Sequence, residues 1–167
     1  MVFDNLILRY FPFFGVVYSG GLLLSAYYFQ YFVGLKPCQM CIWQRWPHYA
    51  VIFFCLLIIL KKKYAVTLLI FAALSALTTS IIGIWHSGVE LELFYLPEGC
   101  SSSGQGSIEN VQDLINKPMI GCNIIAWSFL ELSMTNWNTI LSLIETLIFI
   151  YLVYFLKSLY HEKTKQL

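Results

Sequence analysis

Four long runs of apolar residues dominate the chain, separated by stretches that contain charges or turn-forming residues. The runs cover residues 13–32, 43–60, 64–85 and 138–156. A helix needs about 20 apolar residues to cross the roughly 30 Å of hydrocarbon in a bilayer. Spans of this length must be helical, because lipid offers no hydrogen-bond partners to an open backbone. The pattern predicts an all-α membrane protein, a single domain over residues 1–167 with four transmembrane helices.

The segments between the runs predict how the helices are connected. Residues 33–42 form a short loop between the first two spans, and little more than three lysines separate the second span from the third. Short connections make neighbouring helices antiparallel, so we expect an up-down four-helix bundle. The long polar segment 87–137 contains one stretch of helical periodicity, 107–116, with its apolar residues on one face. This stretch predicts a short amphipathic helix that lies on the bilayer surface or packs on top of the bundle.

Composition agrees with the hydrophobic pattern. The chain has 167 residues, of which 59% are hydrophobic and 11% are charged, whereas soluble domains carry about 25% charged residues. The formal net charge of +1 gives no electrostatic reason to expect nucleic acid as a partner. The first apolar run is longer than the roughly 7–15 residues of a signal-peptide core, so we interpret it as a retained helix.

Lysine and arginine are divided unevenly between the two sides of a four-span chain. Seven lie on the side of the termini, and three lie on the other side. The seven are Arg9, Lys61, Lys62, Lys63, Lys157, Lys163 and Lys165, and the three are Lys36, Arg45 and Lys117. The positive-inside rule then predicts that both termini and the turn between spans two and three are cytoplasmic. Loops 33–42 and 87–137 are then expected to face outward, on the side that is oxidising in bacteria and where disulfides form and persist.

Four of the five cysteines fall in the segments expected to face outward. Cys38 and Cys41 form a C-x-x-C motif before the second span, and Cys100 and Cys122 lie in the long polar segment. Two dithiols on one face of a membrane favour electron transfer between a soluble thiol and a carrier in the lipid. Cys55 lies in the middle of a span, where a buried and inert thiol is expected.

Polar residues continue from the C-x-x-C motif into the second span. The thiolate is the reactive form of cysteine, and helix N-termini and nearby cations favour it. Cys41 is at the start of the predicted helix, and Arg45 follows at i+4 on the same face. His48 extends this polar stripe by one turn. Such a stripe below the mouth of a bundle suits a flat ligand whose carbonyl oxygens accept hydrogen bonds.

Two tryptophans and a histidine are further candidates near such a ligand. Most aromatic residues at the outward ends of the spans indicate an interfacial belt. Trp46 and Trp85 are the two that we retain as candidate neighbours of the ligand ring. His86, at the outward end of the third span, is a second candidate hydrogen-bond donor.

Three ordered blocks of sequence carry a resemblance to a known family. They are PCQMCIWQRWPH at 37–48, WHSGVE at 85–90, and a block after Cys122 with WSFL at 127–130, LSM at 132–134 and Trp137-Asn138. Along nearly its whole length the chain resembles the DsbB family of membrane disulfide-forming oxidoreductases. Glu131 and Thr135 stand where glycine and proline are frequent in that family.

The resemblance implies a thiol oxidase in the bacterial inner membrane that binds a quinone, either ubiquinone or menaquinone. It also implies a soluble partner, a periplasmic thioredoxin-fold oxidase of the DsbA type, which this protein reoxidises. By matching position, Cys38 and Cys41 hand electrons to the quinone, with Cys41 next to its ring. Cys100 and Cys122 exchange with the partner, and Cys100 is expected to form the mixed disulfide.

The same match implies which residues bind the quinone. Arg45 is the matched arginine, and His86 is the matched histidine. With Cys41 and His48 from the polar stripe, they make up the predicted quinone-binding set.

Two other functional classes remain open. One is a quinone reductase of the vitamin K epoxide reductase type, also a helical bundle with two dithiols. Its C-x-x-C is expected in a late helix, whereas this one opens the second span. The other is a non-enzymatic membrane protein whose four cysteines are structural or bind zinc. Structural zinc sites more often have short spacings in both pairs, and 21 residues separate Cys100 from Cys122, so no metal site is predicted.

Overall fold

Long helices make up most of the chain that the computed structural model describes, which comprises residues 2–97, 100 and 121–165. The helices are α1 (Val2–Tyr31), α2 (Gln39–Leu60), α3 (Ala65–Glu90) and α4 (Met134–Lys165). A 3-10 turn, Lys62–Tyr64, joins α2 to α3. The amphipathic helix predicted at 107–116 lies outside the described residues.

Each of the four helices contributes a segment that is long and apolar enough to cross a membrane. These segments are Tyr10–Tyr31, Gln39–Leu60, Lys62–Glu90 and Met134–Leu159. The predicted fold class, an all-α protein with four membrane-spanning helices, is confirmed. The helix α2 begins at Gln39, about one turn before the predicted span, because the hydrophobic pattern marks the lipid-embedded part and not the helix ends. Cys41 therefore lies in the first turn of α2.

The helix α3 is at the centre of the bundle. It packs along α2 and α4, whereas α1 packs mainly on α2 and makes few contacts with α4. Small residues face the interior along α3, including the buried Ala72 and Ala76. Farther along, a Cβ added at Gly83 would collide with the side chain of Thr139 on α4. Small residues let membrane helices approach closely, and the slight contact between α1 and α4 leaves space on that side of the bundle.

An apolar core fills the half of the bundle that is far from the C-x-x-C motif. Its fully buried members include Val51, Ile58, Leu69 and Phe149. Cys55 lies in this core with 0% exposure and forms no disulfide. This location agrees with the inert thiol that the sequence predicts.

A small antiparallel hairpin precedes α4 and was not expected from the sequence. It consists of β1 (Ser128–Phe129) and β2 (Leu132–Ser133), joined by a two-residue turn. Both turn residues have positive φ, 52° at Leu130 and 64° at Glu131. Turns of this geometry favour Asn-Gly or similar pairs, so Leu-Glu gives no sequence signal for a hairpin. Glu131 occupies the position where the DsbB resemblance suggests a glycine, and the structure explains why glycine suits it.

Candidate redox site

The C-x-x-C motif forms the N-terminal cap of α2. Cys38 is the N-cap residue, and its Sγ accepts a hydrogen bond from the backbone N–H of Cys41 at 3.1 Å. This contact satisfies one of the N–H groups that every helix start leaves unpaired. A side-chain hydrogen bond with Cys41 and then burial raise the pKa of the Cys38 thiol above its ordinary value. Cys38 therefore keeps its proton at neutral pH.

The second cysteine pair lies against the first. Cys100 and Cys122 form a disulfide with a Cα–Cα distance of 5.4 Å. Both residues are buried, with 2% and 0% exposure, and they pack in one cluster with Cys38, Met40 and Val89. The four cysteines singled out by the sequence thus meet at one end of the bundle, although the two pairs are far apart along the chain.

His86 connects the two cysteine pairs. Its Nε2 lies 3.5 Å from Cys38 Sγ and 3.1 Å from the carbonyl oxygen of Cys122. Its Nδ1 lies 2.9 Å from Nε2 of Gln44. Because an amide nitrogen only donates, Nδ1 of His86 accepts, and the ring proton sits on Nε2. The Nε2–H group is then directed at the Cys122 carbonyl.

Glu90 and Thr135 support His86 from the other side. The Thr135 hydroxyl donates to Glu90 Oε1 at 2.9 Å, and its oxygen is 3.1 Å from Nδ1 of His86. Ser133 also donates to Glu90, at 2.6 Å. These bonds tie the end of α3 to the start of α4. The DsbB resemblance suggests a proline at the position of Thr135, and proline has no hydroxyl. The hydrogen bond from Thr135 to Glu90 is therefore one that the resemblance did not predict.

A cavity of about 330 Å³ lies between α1, α2, α4 and the hairpin. Its walls are mainly apolar, and a few polar side chains converge on it: Cys41, Gln44, Arg45, His48 and Asn138. Pockets for small molecules usually measure about 300–1,000 Å³ and have this composition. Its shape and donors therefore fit a flat, apolar ring with carbonyl oxygens.

Aromatic side chains form one wall of this cavity. Phe29 packs on Trp127 with ring centroids 4.9 Å apart, and Trp127 stacks on Phe129 at 6.1 Å and 10°. Trp137 donates from Nε1 to the Phe129 carbonyl at 3.1 Å, which fixes the position of its ring. These flat apolar surfaces suit a ring-shaped ligand.

The two tryptophans retained as candidate ligand neighbours, Trp46 and Trp85, lie away from the large cavity. Trp46 is 68% exposed and Trp85 is 40% exposed, and neither lines the cavity. Trp46 follows Arg45 and Trp85 precedes His86, and neighbouring residues of a helix point about 100° apart. Each tryptophan ring therefore points away from the adjacent polar residue. Trp127 and Trp137 line the cavity instead, because the hairpin folds back over the bundle.

Arg45 lies at the wall of the cavity. Its Nη1 donates to Gln30 Oε1 at 2.6 Å, and its guanidinium is 4.8 Å from the centre of the Tyr27 ring. A guanidinium has five N–H donors, so this anchoring leaves donors for a ligand. Arg45 and Cys41 also line a smaller adjoining cavity of about 60 Å³.

The predicted quinone-binding residues divide between the two cavities. Cys41, Arg45 and His48 line the larger one, whereas His86 lines only the smaller one. Of the two C-x-x-C thiols, Cys41 lines both cavities and Cys38 lines only the smaller one. The sequence analysis did not single out Gln44 and Asn138 as site residues, although both are polar residues within or beside an apolar run and both lie in the blocks that resemble the DsbB family.

Comparison with known proteins indicates the family. The family model described as disulfide bond formation protein DsbB matches residues 8–152. This chain belongs to the DsbB family. It is therefore a multi-pass membrane protein and a disulfide oxidoreductase, and the resemblance seen in its sequence is confirmed.

Several relatives match over most of their length. The chain is 30% identical to an uncharacterized protein of Rickettsia prowazekii, with 80% of each chain covered. It is 30% identical to disulfide bond formation protein B of Pasteurella multocida, over 80% of this chain and 79% of that one. It is 34% identical to the protein of that name from Verminephrobacter eiseniae, with 70% of each chain covered. No solved structure matches the chain.

The four-thiolate zinc alternative does not fit the redox state of this structure. Cys100 and Cys122 are bonded to each other, so their sulfurs are not available as thiolate ligands. Cys38, Cys41 and His86 do bring their ligand atoms within 4.8 Å of one another. A cysteine pair that alternates between dithiol and disulfide explains the same proximity.

Proposed function

We propose that this protein reoxidises a periplasmic DsbA-like thioredoxin-fold protein and passes the electrons through its two cysteine pairs to a membrane quinone. One observation supports this function above the others. Cys41 lines the large apolar cavity, while Cys38, three residues earlier, does not line it and belongs to the same buried cluster as the Cys100–Cys122 disulfide. One short motif thus contacts both an electron source and a space for an electron acceptor.

The proposed first half-reaction is thiol–disulfide exchange with the soluble partner. A partner thiolate attacks Cys100 and forms a mixed disulfide, and Cys122 leaves as a thiolate. The partner's second thiol then releases the partner as its own disulfide, and Cys100 and Cys122 are left reduced. Both residues are buried in this structure, so Cys100 must become accessible before the partner can attack it.

The second half-reaction transfers the two electrons from the loop pair to the C-x-x-C pair. A thiolate of the loop pair attacks Cys38, which shares a buried cluster with that pair and does not line the large cavity, and Cys41 leaves as a thiolate. Exchange completes when the loop disulfide re-forms. Cys38 is then protonated, in keeping with its raised pKa, and the Cys41 thiolate is next to the large cavity.

The residues around that cavity suit a bound quinone. When bound, a quinone accepts two electrons and two protons. Arg45 would donate a hydrogen bond to one of its oxygens, His48 would lie beside the ring, and the aromatic wall would flank the ring and exclude water. The Arg45 charge also favours the thiolate of Cys41, one turn away on the same helix face.

The proposed orientation follows from the charges. The cytoplasmic side carries the three lysines of the α2–α3 turn and both termini, and the periplasmic side carries both cysteine pairs. An oxidising periplasm supports the disulfide between Cys100 and Cys122. The C-x-x-C opens α2, which does not favour the vitamin K epoxide reductase type, in which a late helix is expected to hold it.

Anaerobic purification tests the proposal. The extracted protein should contain a quinone, which mass spectrometry identifies as ubiquinone or menaquinone, and it should oxidise a reduced DsbA-type protein with one quinol formed per disulfide. The variant Cys41→Ser should retain the quinone and form no quinol. Purified protein that contains no quinone and oxidises many equivalents of its partner without added quinone would refute the proposed acceptor.

A further inference from the structure

Glu145 is an ionisable residue in the membrane interior with no part in the mechanism above. It lies within α4 at 0% exposure. Ser19 of α1, also at 0% exposure, donates from Oγ to its two carboxylate oxygens at 2.9 and 3.0 Å. Among the described residues, no lysine or arginine lies within ion-pair distance of it. A carboxyl group in this position is costly, and such residues usually mark proton or ion pathways.

Ser19 joins Glu145 to the wall of the large cavity. Its Oγ lies 3.1 Å from Nδ1 of His48, which is itself 2% exposed. His48 lines the cavity, whereas Ser19 and Glu145 are behind it. A continuous path of hydrogen bonds thus runs from the carboxyl group to the space proposed for the quinone.

The other ring nitrogen of His48, Nε2, acts as a hydrogen-bond donor. Nε2 lies 3.1 Å from Asn138 Oδ1. Nδ2 of Asn138 donates to Gln44 Oε1 at 2.7 Å and to Thr79 Oγ1 at 3.3 Å. The Thr79 hydroxyl donates to the Gln44 carbonyl, so its oxygen is available to accept. These bonds orient Oδ1 of Asn138 toward His48, and Nε2 must carry a proton. Nδ1 is therefore the nitrogen whose protonation can change.

The same distances accommodate two arrangements of protons. In the first, a protonated Glu145 donates to Ser19, and Ser19 donates to Nδ1 of a neutral His48. In the second, His48 is an imidazolium that donates to Ser19, and Ser19 donates to the Glu145 carboxylate. The two differ by one proton that has moved along the path. No heavy atom needs to shift.

We propose that Glu145, Ser19 and His48 form a proton relay that stores a proton at the Glu145 carboxyl and delivers it to the large cavity through the His48 imidazole. The relay rests on the proposed function, because it supplies one of the protons that quinone reduction requires. Ser19 passes the proton, and His48 takes it at Nδ1. The resulting imidazolium gives up its Nε2 proton to the cavity that His48 and Asn138 both line, which breaks the hydrogen bond from Nε2 to Asn138.

The proton and electron balance defines what Glu145 must do. Oxidation of the Cys38 thiol and the Cys41 thiolate to a disulfide yields two electrons and one proton. Formation of a quinol consumes two of each, and Glu145 supplies the second proton and becomes a carboxylate. When a dithiol next reduces the pair, Cys41 ionises and its proton returns to Glu145. The site therefore carries one negative charge throughout the cycle, on Cys41 when the pair is reduced and on Glu145 when it is oxidised.

Other titratable groups near Glu145 do not offer a second path. Tyr18 and Cys55 are the ones whose charges would interact with it. The Tyr18 hydroxyl donates to the Leu141 carbonyl at 3.0 Å, and Cys55 lies in the apolar core. Within the described part of the chain, the hydrogen bonds of Glu145 lead through Ser19 alone.

Infrared difference spectroscopy tests the stored proton without any quinone. Chemical reduction of quinone-stripped protein should produce a new C=O band of a protonated carboxylic acid. The band should be absent in Glu145→Gln and unchanged in Glu92→Gln, which alters an exposed carboxylate after α3. A wild-type spectrum without the band, or the same band in Glu145→Gln, overturns the relay. Because no quinone takes part, this result is independent of the proposed function.

Kinetics test delivery of the proton. Ser19→Ala and Glu145→Gln should each retain the quinone and slow its reduction about 10-fold to 100-fold, since positioned acid catalysis usually contributes at least this much. Ser19→Thr keeps a hydroxyl and should restore the rate. Exchange at Cys100 should be normal in all three variants. Quinone reduction at the wild-type rate in Ser19→Ala and Glu145→Gln overturns the relay. Wild-type protein that binds no quinone overturns the proposed function instead, and it leaves the storage of a proton at Glu145 unaffected.

Discussion

Nε2 of His86 donates a hydrogen bond to the carbonyl oxygen of Cys122 at 3.1 Å. This bond joins the end of a membrane-spanning helix to the disulfide that exchanges electrons with the proposed partner. The same nitrogen lies 3.5 Å from Cys38 Sγ, so one ring contacts both cysteine pairs. His86 was predicted to bind the quinone, yet it does not line the large cavity. Its contacts favour a role in holding the two pairs together.

His86→Phe should slow electron transfer between the two cysteine pairs. Phenylalanine fills a similar volume but cannot donate to Cys122, and a lost hydrogen bond of about 1.4 kcal/mol corresponds to a factor of about ten. Rapid acid quenching after mixing with reduced partner, followed by thiol counting at Cys38 and Cys41, measures this step in quinone-free protein. Normal transfer with impaired quinone binding would instead support the quinone-site role that the sequence suggested.

Arg45→Ala should weaken quinone reduction and spare thiol exchange at Cys100. The variant removes the charge that favours the Cys41 thiolate and a donor at the cavity wall, so we expect a loss of roughly 10-fold to 100-fold. Stopped-flow absorbance of the quinone measures the first reaction, and oxidation of the reduced partner in a single turnover measures the second. Arg45→Lys keeps the charge without the planar donors, and an intermediate rate is expected. Equal loss of both half-reactions would indicate a folding defect.

Much of the fold and part of the site were predictable from the sequence. Apolar runs of membrane length predict the four helices, and helical spacing predicts that Cys41, Arg45 and His48 share a face. The structure agrees that all three line one cavity. These features depend on local periodicity, which the amino-acid pattern records directly.

The contacts between helices were not predictable in the same way. The bonds of Ser19 with Glu145 and of His48 with Asn138 join residues that are far apart along the chain. They depend on the rotation of each helix about its axis, and the apolar pattern of a membrane span constrains this rotation weakly, because lipid-facing and buried positions are both hydrophobic. The position of Trp127 at the cavity wall was also not predictable, because it depends on a hairpin whose turn residues give no sequence signal.

Cys122→Ser should trap the soluble partner on Cys100. In this variant the Cys100 thiolate attacks the disulfide of the oxidised partner and forms a mixed disulfide, which no Cys122 thiol can displace. Only the partner's own second thiol can reverse the attack, so the complex should accumulate to a detectable fraction of the protein. Non-reducing electrophoresis and mass spectrometry of the linked peptides identify the cysteine involved. Cys55→Ser is the matched control, because that thiol is buried in the apolar core. Like the wild type, this variant should accumulate no complex. A partner linked to Cys38 or Cys41 would reverse the assignment of the two pairs.

Glu131→Gly should stabilise the protein. Glu131 has φ of 64° in the turn of the hairpin, and side chains with a Cβ are strained in this region by roughly 1 kcal/mol. Glycine relieves the strain, although its greater freedom in the unfolded chain offsets part of the gain. The thermal midpoint of the purified protein should rise by a few degrees. Glu131→Ala removes the same charge but keeps the Cβ, so it should give no increase; an equal increase in both variants would assign the effect to charge and not to backbone strain.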